Sequence, residues 1–494
     1  MSFSIQRAPW TAVLLLAGLG GCKDEDAATH DVETPPFSGQ QIQIAVPARA
    51  SFRETWEAPL NEWVAQTGAS YELLESVDSS EPFEAASDGE RPSLAVFPLA
   101  HAGELASSGN LAPIPESLLR TNQDGLQWHD LFAGLREKLA SQKGRGIFLP
   151  LSCPVLVCYY RDDLLQAAGL NPPQTWDDHQ RLLDSLAEWA PGLTAVEPWS
   201  EDFRATMFFA RAVSFAQHPG HYSLFFDIET GEPLIDRPGF VQGLKTALSA
   251  LAKMPPDVLT YDPADCRNEI LSGRAALAIT FEVPGSGNPE LVDANETRAA
   301  ERAEHAAIGF ARLAGSREIY NGTRHVWEPS ADKGISRVTL TGFAGRAAGA
   351  STQNSPRETE AAWNALVKVS GADCVSGFPP GIIGLCRESQ LRDPAAIVGP
   401  GLDDLEATRY AEAVAESLRD LHLVAELPVI GRDEFRHALT AALTSALDGS
   451  QTAEEALKSA AAAWREIADK IGTAKIRGNY RASLGLSPVS KSAK

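Results

Sequence analysis

Several residues of this chain have side chains suited to chemistry, and their spacing decides which kinds. Glu197 and Glu282 are the one pair of carboxylates that we nominate as an acid and a base, as a surface hydrolase would need. His218 and His221 lie in an H-P-G-H turn, whose spacing could reach one metal ion but has no cysteine beside it. The motifs G-x-S-x-G, H-E-x-x-H and G-x-x-x-x-G-K-[ST] do not occur in the sequence. We therefore expect no catalytic residues, no metal and no cofactor.

Composition points to an ordinary globular protein of several domains. The 494 residues carry 43 Lys and Arg against 65 Asp and Glu, a net charge of −22, and 44% of them are hydrophobic. An acidic surface disfavours nucleic acid, because the phosphate backbone is bound through basic residues. At about 100–200 residues per domain, this length allows two to four domains.

The N-terminus predicts export. Arg7 precedes an apolar run of 11 residues, Thr11–Gly21, which is too short to span a bilayer but long enough for the core of a signal peptide. The run ends in Leu19-Gly20-Gly21-Cys22, which resembles a bacterial lipobox, and the alternative is a plain secretory signal with an incidental cysteine. We expect residues 1–21 to be a lipoprotein signal peptide, Cys22 to carry the lipid, and residues 22–39 to be a flexible tether at the cell envelope.

Export permits disulfides, but the cysteines do not form a scaffold. With Cys22 lipidated, five thiols remain, and an odd number leaves at least one unpaired. Cys374 and Cys386 flank one loop and are the best candidate pair. No C-x-x-C occurs, so neither a zinc site nor a redox motif is predicted.

The pattern along the chain predicts an α/β fold. Apolar residues alternate over Ile42–Val46, as in a strand, and a helical pattern follows. The apolar segment Ile147–Tyr160 is broken by two prolines, which suits a chain that leaves one sheet and enters another. Thr175 with Asp178, and Thr452 with Glu455, have the spacing of capping boxes at helix starts.

Four segments in order resemble the family 1 extracellular solute-binding proteins, the group similar to maltose-binding protein. They are Leu149–Asp178, Gly273–Ile279, Thr341-Gly342-Phe343 with Ala362-Trp363, and Gly449–Leu457 with Trp464. The first segment carries the most specific matches, at Tyr160, Asp163, Leu164, Gly169, Pro173, Thr175 and Trp176. The resemblance covers nearly all of residues 40–485.

The resemblance implies a two-lobed fold of the type II periplasmic-binding-protein class, with lobes joined by crossing strands. It assigns residues 40–153 and 283–369 to the N-lobe, and residues 155–280 and 371–480 to the C-lobe. It also implies that a small solute, most plausibly a carbohydrate, binds between the lobes and closes them by hinge motion. The expected partner is an ABC permease that reads the closed form, and the protein itself is expected to be a monomer.

The resemblance also implies which residues bind the solute. Glu197-Pro198-Trp199 matches a family segment that points an acid and an aromatic ring into the cleft, where a carboxylate accepts hydrogen bonds from hydroxyl groups. The alternatives are a core role for Phe97 and Trp199 and a surface role for His101. The positions assigned to the ligand are Phe97, His101, Glu197, Trp199, Phe281, Glu282, Gly342 and Phe343.

Departures from the family pattern leave other functions open. Ala100, Pro154 and Val283 replace residues that sugar-binding relatives use, so a maltodextrin-like pocket is not supported. Arg49 and Arg346 could instead pair with an anionic ligand, although exposed arginines without that role are more common. A degenerate relative that serves as a sensor or scaffold is the alternative to an importer receptor. Burial of Phe97, Glu197 and Trp199 within lobe cores would favour it.

Overall fold

The computed structural model describes residues 35–48, 50–76, 81–84, 91–120, 125–282, 306–330, 334–371, 384–399 and 401–487. Within those ranges it contains no helix with the length and apolar character of a membrane span. The β-strands are β1 (Gln41–Pro47), β2 (Ser70–Ser76), β3 (Leu94–Pro98), β4 (Ser141–Gln142), β5 (Arg145–Gly146), β6 (Leu149–Ser152), β7 (Val157–Arg161), β8 (Thr194–Val196), β9 (Ala275–Thr280), β10 (Ile308–Arg312), β11 (Glu318–Asn321), β12 (Val326–Pro329), β13 (Thr339–Thr341), β14 (Arg346–Ala350) and β15 (Leu423–Ala425).

The helices surround these strands, and five of the described α-helices begin with a capping box. The predicted capping boxes are confirmed at Thr175 with Asp178 and at Thr452 with Glu455. The α-helices are α1 (Ala50–Thr67), α2 (Ala102–Ser107), α3 (Glu116–Arg120), α4 (Asp162–Ala167), α5 (Trp176–Asp184), α6 (Leu186–Trp189), α7 (Glu201–Ala216), α8 (Pro238–Leu251), α9 (Pro263–Leu271), α10 (Pro356–Ser370), α11 (Asp404–Arg419), α12 (Arg432–Leu447), α13 (Ala453–Ile471) and α14 (Thr473–Ser483).

The first lobe is built on a five-stranded sheet in the order β2-β1-β3-β14-β6. β1 runs parallel to β2 and β3, whereas β14 runs antiparallel to β3 and β6. Residues 44–46 of β1 are all buried, because α1 and α10 pack against this strand. Burial of successive residues is typical of strands covered on both faces.

The second lobe is built on a four-stranded sheet in the order β10-β7-β9-β8. Helices α4, α9 and α11 pack against its strands, while α7, α8, α12 and α13 pack on one another in a second layer. That helical layer has its own hydrophobic cluster, which includes Trp176, Trp199 and Trp464. The mixed α/β fold with two lobes is the predicted fold class, and it is confirmed.

The chain crosses between the lobes where the prolines predicted a change of sheet. β6 ends at Ser152 in the first sheet and β7 begins at Val157 in the second. The return crossing runs from Thr341 to Arg346 and passes close to the first, so that a Cβ on Gly345 would lie 2.2 Å from the carbonyl oxygen of Ser152. Gly345 also has φ +94°, a conformation that side chains disfavour, so glycine is required at this crossing.

Sheet membership differs from the predicted lobe boundaries at three places. β10 pairs antiparallel with β7, so residues 308–312 belong to the second sheet and not to the N-lobe segment predicted to begin at 283. The amide of Gly384 donates to the carbonyl oxygen of Leu151, and the amide of Phe132 donates to the carbonyl oxygen of Cys386. These two hydrogen bonds attach the chain around residue 386 to the first lobe. Phe37, within the predicted tether, lies 6.4 Å from the Trp63 ring. A local pattern predicts a strand but not its partner, because partners are chosen by long-range contacts.

Candidate functional site

Glu197 and Trp199 lie between β8 and α7, and both are fully buried. Trp199 Nε1 donates to Glu197 Oε2 at 2.9 Å, and Arg211 on α7 donates to Glu197 Oε1. His179 on α5 places Nε2 3.7 Å from the same carboxylate oxygen. Every polar atom of the Glu197 carboxylate therefore has a partner inside the second lobe.

Arg211 is enclosed by aromatic rings as well as by this carboxylate. Its guanidinium carbon lies 4.6 Å from the ring centre of Trp176 and 5.9 Å from that of Trp199, close enough for cation–π attraction. Trp176 in turn donates from Nε1 to Ser214 Oγ at 3.0 Å. We call Glu197, Arg211, His179, Trp176 and Trp199 the buried cluster.

Burial and charge act in opposite directions within the buried cluster. Burial alone would raise the pKa of Glu197, but the charge of Arg211 holds that pKa below its usual range. Burial lowers the pKa of His179 to about 4, although the nearby Glu197 carboxylate partly opposes the shift. At neutral pH the cluster therefore holds one ion pair and a neutral histidine.

Glu282 forms a second buried ion pair next to β9. Arg267 Nε lies 2.8 and 2.9 Å from its two carboxylate oxygens, and the Tyr159 hydroxyl donates to Oε1 at 2.9 Å. The amide of Glu282 donates to the Tyr410 hydroxyl at 3.0 Å. Each member of the predicted acid–base pair thus has its own arginine, an arrangement that favours two structural carboxylates over a reacting pair.

The remaining predicted ligand residues lie at separate places in the fold. Phe97 is 1% exposed and packs edge-on against Phe148 at 6.4 Å. His101 is 9% exposed, and its Nε2 lies 3.9 Å from Asp433 of α12. Phe281 and Phe343 bring their rings to 5.6 Å of each other, next to Gly342 with φ +71°. The structure thus brings together Glu197 with Trp199, and Phe281 with Phe343, but it does not gather all eight residues around one opening.

The two histidines of the H-P-G-H turn contact the β11–β12 hairpin. Their rings lie 4.7 Å apart, His218 Nε2 lies 3.1 Å from Glu328, and His221 Nε2 lies 3.0 Å from the Thr323 hydroxyl. Among the residues that the structure describes, no three His, Cys, Asp or Glu side chains converge on a point suited to a metal.

Sequence reasoning missed a third buried carboxylate. Glu426, 1% exposed, accepts from Arg432 at 2.8 Å, from Arg436 at 3.0 Å and from the Thr206 hydroxyl at 2.7 Å. Thr206 lies 220 residues away in the chain. No local signal marks the contact with Thr206, because that residue reaches Glu426 only when α7 packs against α12.

A cleft of about 1190 Å³ opens between the lobes. It lies apart from the buried cluster, and none of the eight predicted ligand residues lines it. The first lobe contributes the β4–β5 hairpin and the preceding turn, and the second lobe contributes the loop after α7, strand β15 and the end of α14. Lining residues include Trp128, Lys138, Lys143, His221, Tyr222, Arg337, Leu423 and Tyr480.

Two α/β lobes, joined by crossing segments and separated by a cleft, define a type II binding protein. The chain belongs to the bacterial extracellular solute-binding protein family, whose model matches residues 49–300, about half of the chain. The resemblance read from the sequence is therefore confirmed, and the family is one of exported proteins. Comparison with curated protein sequences gave no significant match.

Solved structures share this fold over most of the chain. The sugar-binding protein MalE from Xanthomonas citri is 15% identical with a TM-score of 0.63, covering 87% of this chain and 98% of that one. A solute-binding protein from Agrobacterium radiobacter in complex with ribitol is 19% identical, TM-score 0.59, covering 87% and 100%. Maltose-bound MalE3 from T. maritima is 18% identical, TM-score 0.57, covering 86% and 99%. At such identities the likeness establishes the fold.

Several predictions concern residues outside the described ranges. Cys22, Arg49, Val283 and Cys374 lie there, so the lipid site and the pairing of Cys374 with Cys386 stay predictions. The assignment of Phe97, His101, Glu197, Trp199, Phe281, Glu282, Gly342 and Phe343 to the solute also stays a prediction.

Proposed function

We propose that this protein is the solute receptor of an ABC importer, anchored at the cell envelope by lipid on Cys22 and without enzymatic activity. Its solute is a carbohydrate, bound in the cleft between the two lobes. The observation that carries the proposal is that cleft, bounded by two α/β lobes that belong to a solute-binding family. Solute that touches both lobes stabilises the closed form, which a permease can recognise.

The crossings support hinge motion. Gly345 lies in the return crossing with φ +94° and packs against Ser152 of the first, so the two segments form one close contact between the lobes. A few such element-terminal residues can absorb the rotation of one lobe relative to the other. Relatives of the same fold are recorded with maltose, ribitol and D-mannitol, which supports a sugar or polyol as the solute class.

A solute screen tests this function. We expect one member of a panel of sugars, polyols and sugar acids to raise the melting temperature of the full-length protein. At a concentration 100-fold above Kd, binding should add about 2.7 kcal/mol to the free energy of unfolding. Differential scanning fluorimetry measures the shift, and calorimetric titration with the same solute confirms it. A panel that leaves the melting temperature unchanged would contradict the proposal.

A second candidate function is a sensor or scaffold that has lost solute binding. One observation favours it: three residues that the family pattern assigns to the ligand are buried. Phe97 is 1% exposed, and Glu197 and Trp199 are 0% exposed. A solute contact by Glu197 would require the carboxylate to leave Arg211. The solute screen separates the two candidates, since only the receptor gains stability from a small molecule.

The lipid anchor is tested separately at Cys22. We expect Cys22→Ser to abolish incorporation of an alkyne-labelled fatty acid and to release the protein into the soluble fraction, because the lipid is attached to that thiol. Cys158→Ala is the matched control, since Cys158 is buried in β7 and should leave labelling unchanged. Labelling that persists in Cys22→Ser would show that this cysteine is not the lipid site.

A further inference from the structure

The interlobe cleft has the opposite charge to the protein around it. The whole chain carries a net charge of −22. The cleft, in contrast, is lined by four side chains of permanent positive charge and by one carboxylate, that of Glu137. A concave site lined by one sign of charge concentrates ligands of the other sign. The four cationic residues are Arg136, Lys138, Lys143 and Arg337.

Three of these four cations have no acidic partner. Arg136 is occupied, since it donates to Glu137 at 3.0 Å and to the carbonyl oxygens of His129 and Leu131, each at 3.2 Å. Lys138 and Lys143 are exposed and form no ion pair with any described residue. Arg337 donates only to Gln174, and its Nε is buried without a hydrogen-bond partner in the described part of the chain.

Arg337 has charges of both signs around it. Burial, and next the charge of Arg312, lower the pKa of Arg337 from its ordinary value, whereas the carboxylates of Glu416, Asp420 and Asp178 partly oppose that shift. Arg312 itself is paired with Asp420 at 2.7 Å. The Arg337 side chain also lines the cleft, and guanidinium groups hold carboxylates through two parallel hydrogen bonds.

Lys143 has a backbone conformation that its side chain does not favour. It has φ +52° at the tip of the β4–β5 hairpin, where Gly144 follows with φ +74°. Two-residue hairpin turns of this kind prefer asparagine or aspartate followed by glycine. A lysine there is strained, and strained positions cluster at binding sites. Lys143 lines the cleft at the tip of this hairpin.

The cleft has one exposed aromatic ring at its rim and the size that sugar rings need. Tyr222 is 64% exposed, whereas the other aromatic lining residues, Trp128, Phe225 and Tyr480, are 7%, 1% and 1% exposed. The Tyr222 ring can stack on the C–H face of a pyranose. The volume of about 1190 Å³ leaves room for a short oligomer.

We propose that this cleft binds an acidic oligosaccharide, a short chain of uronate sugars whose carboxylates pair with Lys138, Lys143 and Arg337. The inference rests on the proposed function and specifies its substrate class. Compact ammonium groups at the rim attract charge at a distance, whereas the planar guanidinium fixes one carboxylate in place. Both effects distinguish a uronate from the neutral sugar of the same shape.

The test compares charged and uncharged forms of one ligand on the full-length protein. Calorimetric titration uses trimers of galacturonate, mannuronate and glucuronate, each against its methyl ester, which keeps the rings and removes the charge. We expect one uronate trimer to bind, its ester to bind at least about tenfold more weakly, and its affinity to fall as sodium chloride is raised. An ester that binds as tightly as its acid would overturn the inference.

Substitution of the two lysines tests whether their charges bind the acidic ligand. We expect the double variant Lys138→Gln, Lys143→Asn to weaken binding about three- to tenfold, since both groups are exposed. Asparagine at position 143 suits the hairpin turn. The matched control is Lys458→Gln, which removes an exposed lysine on α13 and should leave binding unchanged. Unchanged affinity in the double variant would also overturn the inference. If only neutral solutes bind, the acidic ligand is wrong and the receptor function stands; if nothing binds, both fail.

Discussion

Replacing Arg211 by methionine is expected to lower the free energy of unfolding by about 3–5 kcal/mol. The substitution leaves the Glu197 carboxylate fully buried without its counter-charge, and the methionine side chain fills most of the same space between the Trp176 and Trp199 rings. Urea denaturation followed by tryptophan fluorescence measures the change. The matched control is Glu201→Gln, on the exposed first turn of the same helix, which should change stability by less than about 0.5 kcal/mol.

The double variant Glu197→Gln, Arg211→Met decides whether the pair is structural. Removing both charges should cost less than the sum of the two single substitutions, because no unpaired buried charge remains. A solute titration on Glu197→Gln completes the test, because a structural role predicts lower stability with the solute affinity retained. Loss of solute affinity with unchanged stability would instead show that Glu197 binds the solute, as the family pattern predicts.

Acidification from pH 6.5 to pH 4 is expected to destabilise the protein by about 3 kcal/mol through His179 alone. The pKa of His179 is lowered to about 4 by burial, whereas the unfolded chain has the ordinary value near 6.5. Between those values the unfolded state takes up a proton that the folded state does not, so the free energy of unfolding falls as pH falls. Glu197, whose pKa is also lowered, loses its contribution at a more acidic pH.

The measurement is urea denaturation at several pH values for the wild type and for His179→Phe. Phenylalanine keeps an aromatic ring 5.9 Å from Trp176 but cannot titrate, so its stability should depend less on pH in this window. His422→Gln is the control, because the His422 side chain is 54% exposed and its loss should leave the slope unchanged. Equal slopes for wild type and His179→Phe would show that His179 does not control this acid sensitivity.

Both predictions concern partners of Glu197 that no sequence pattern marked. Glu197 and Trp199 fit a family pattern over three successive residues. Arg211 and His179, however, reach Glu197 from two different helices, and the sequence offers no signal that they do. Since a carboxylate binds either a hydroxyl group or a guanidinium with the same oxygens, residue type alone cannot decide between a ligand contact and an ion pair.

The residues that line the cleft could not be recognised from the sequence either. Lys138, Lys143 and Arg337 belong to segments that are unremarkable in sequence, and Arg337 comes from more than 190 positions further along the chain than Lys143. They line one space only because the β4–β5 hairpin of the first lobe faces the strand β13 region of the second. Charge that is dispersed along a chain becomes a binding feature when folding concentrates it.

The sequence by itself determined what depends on short-range physics: the strand β1, the capping boxes at Thr175 and Thr452, and the change of sheet between Ser152 and Val157. Each arises from hydrogen bonds or side-chain periodicity within about one turn or one strand. Tertiary structure alone decided that β10 joins β7, that Glu197 pairs with Arg211, and which residues face the cleft. Those outcomes depend on packing between segments far apart in the chain, and no local pattern encodes them.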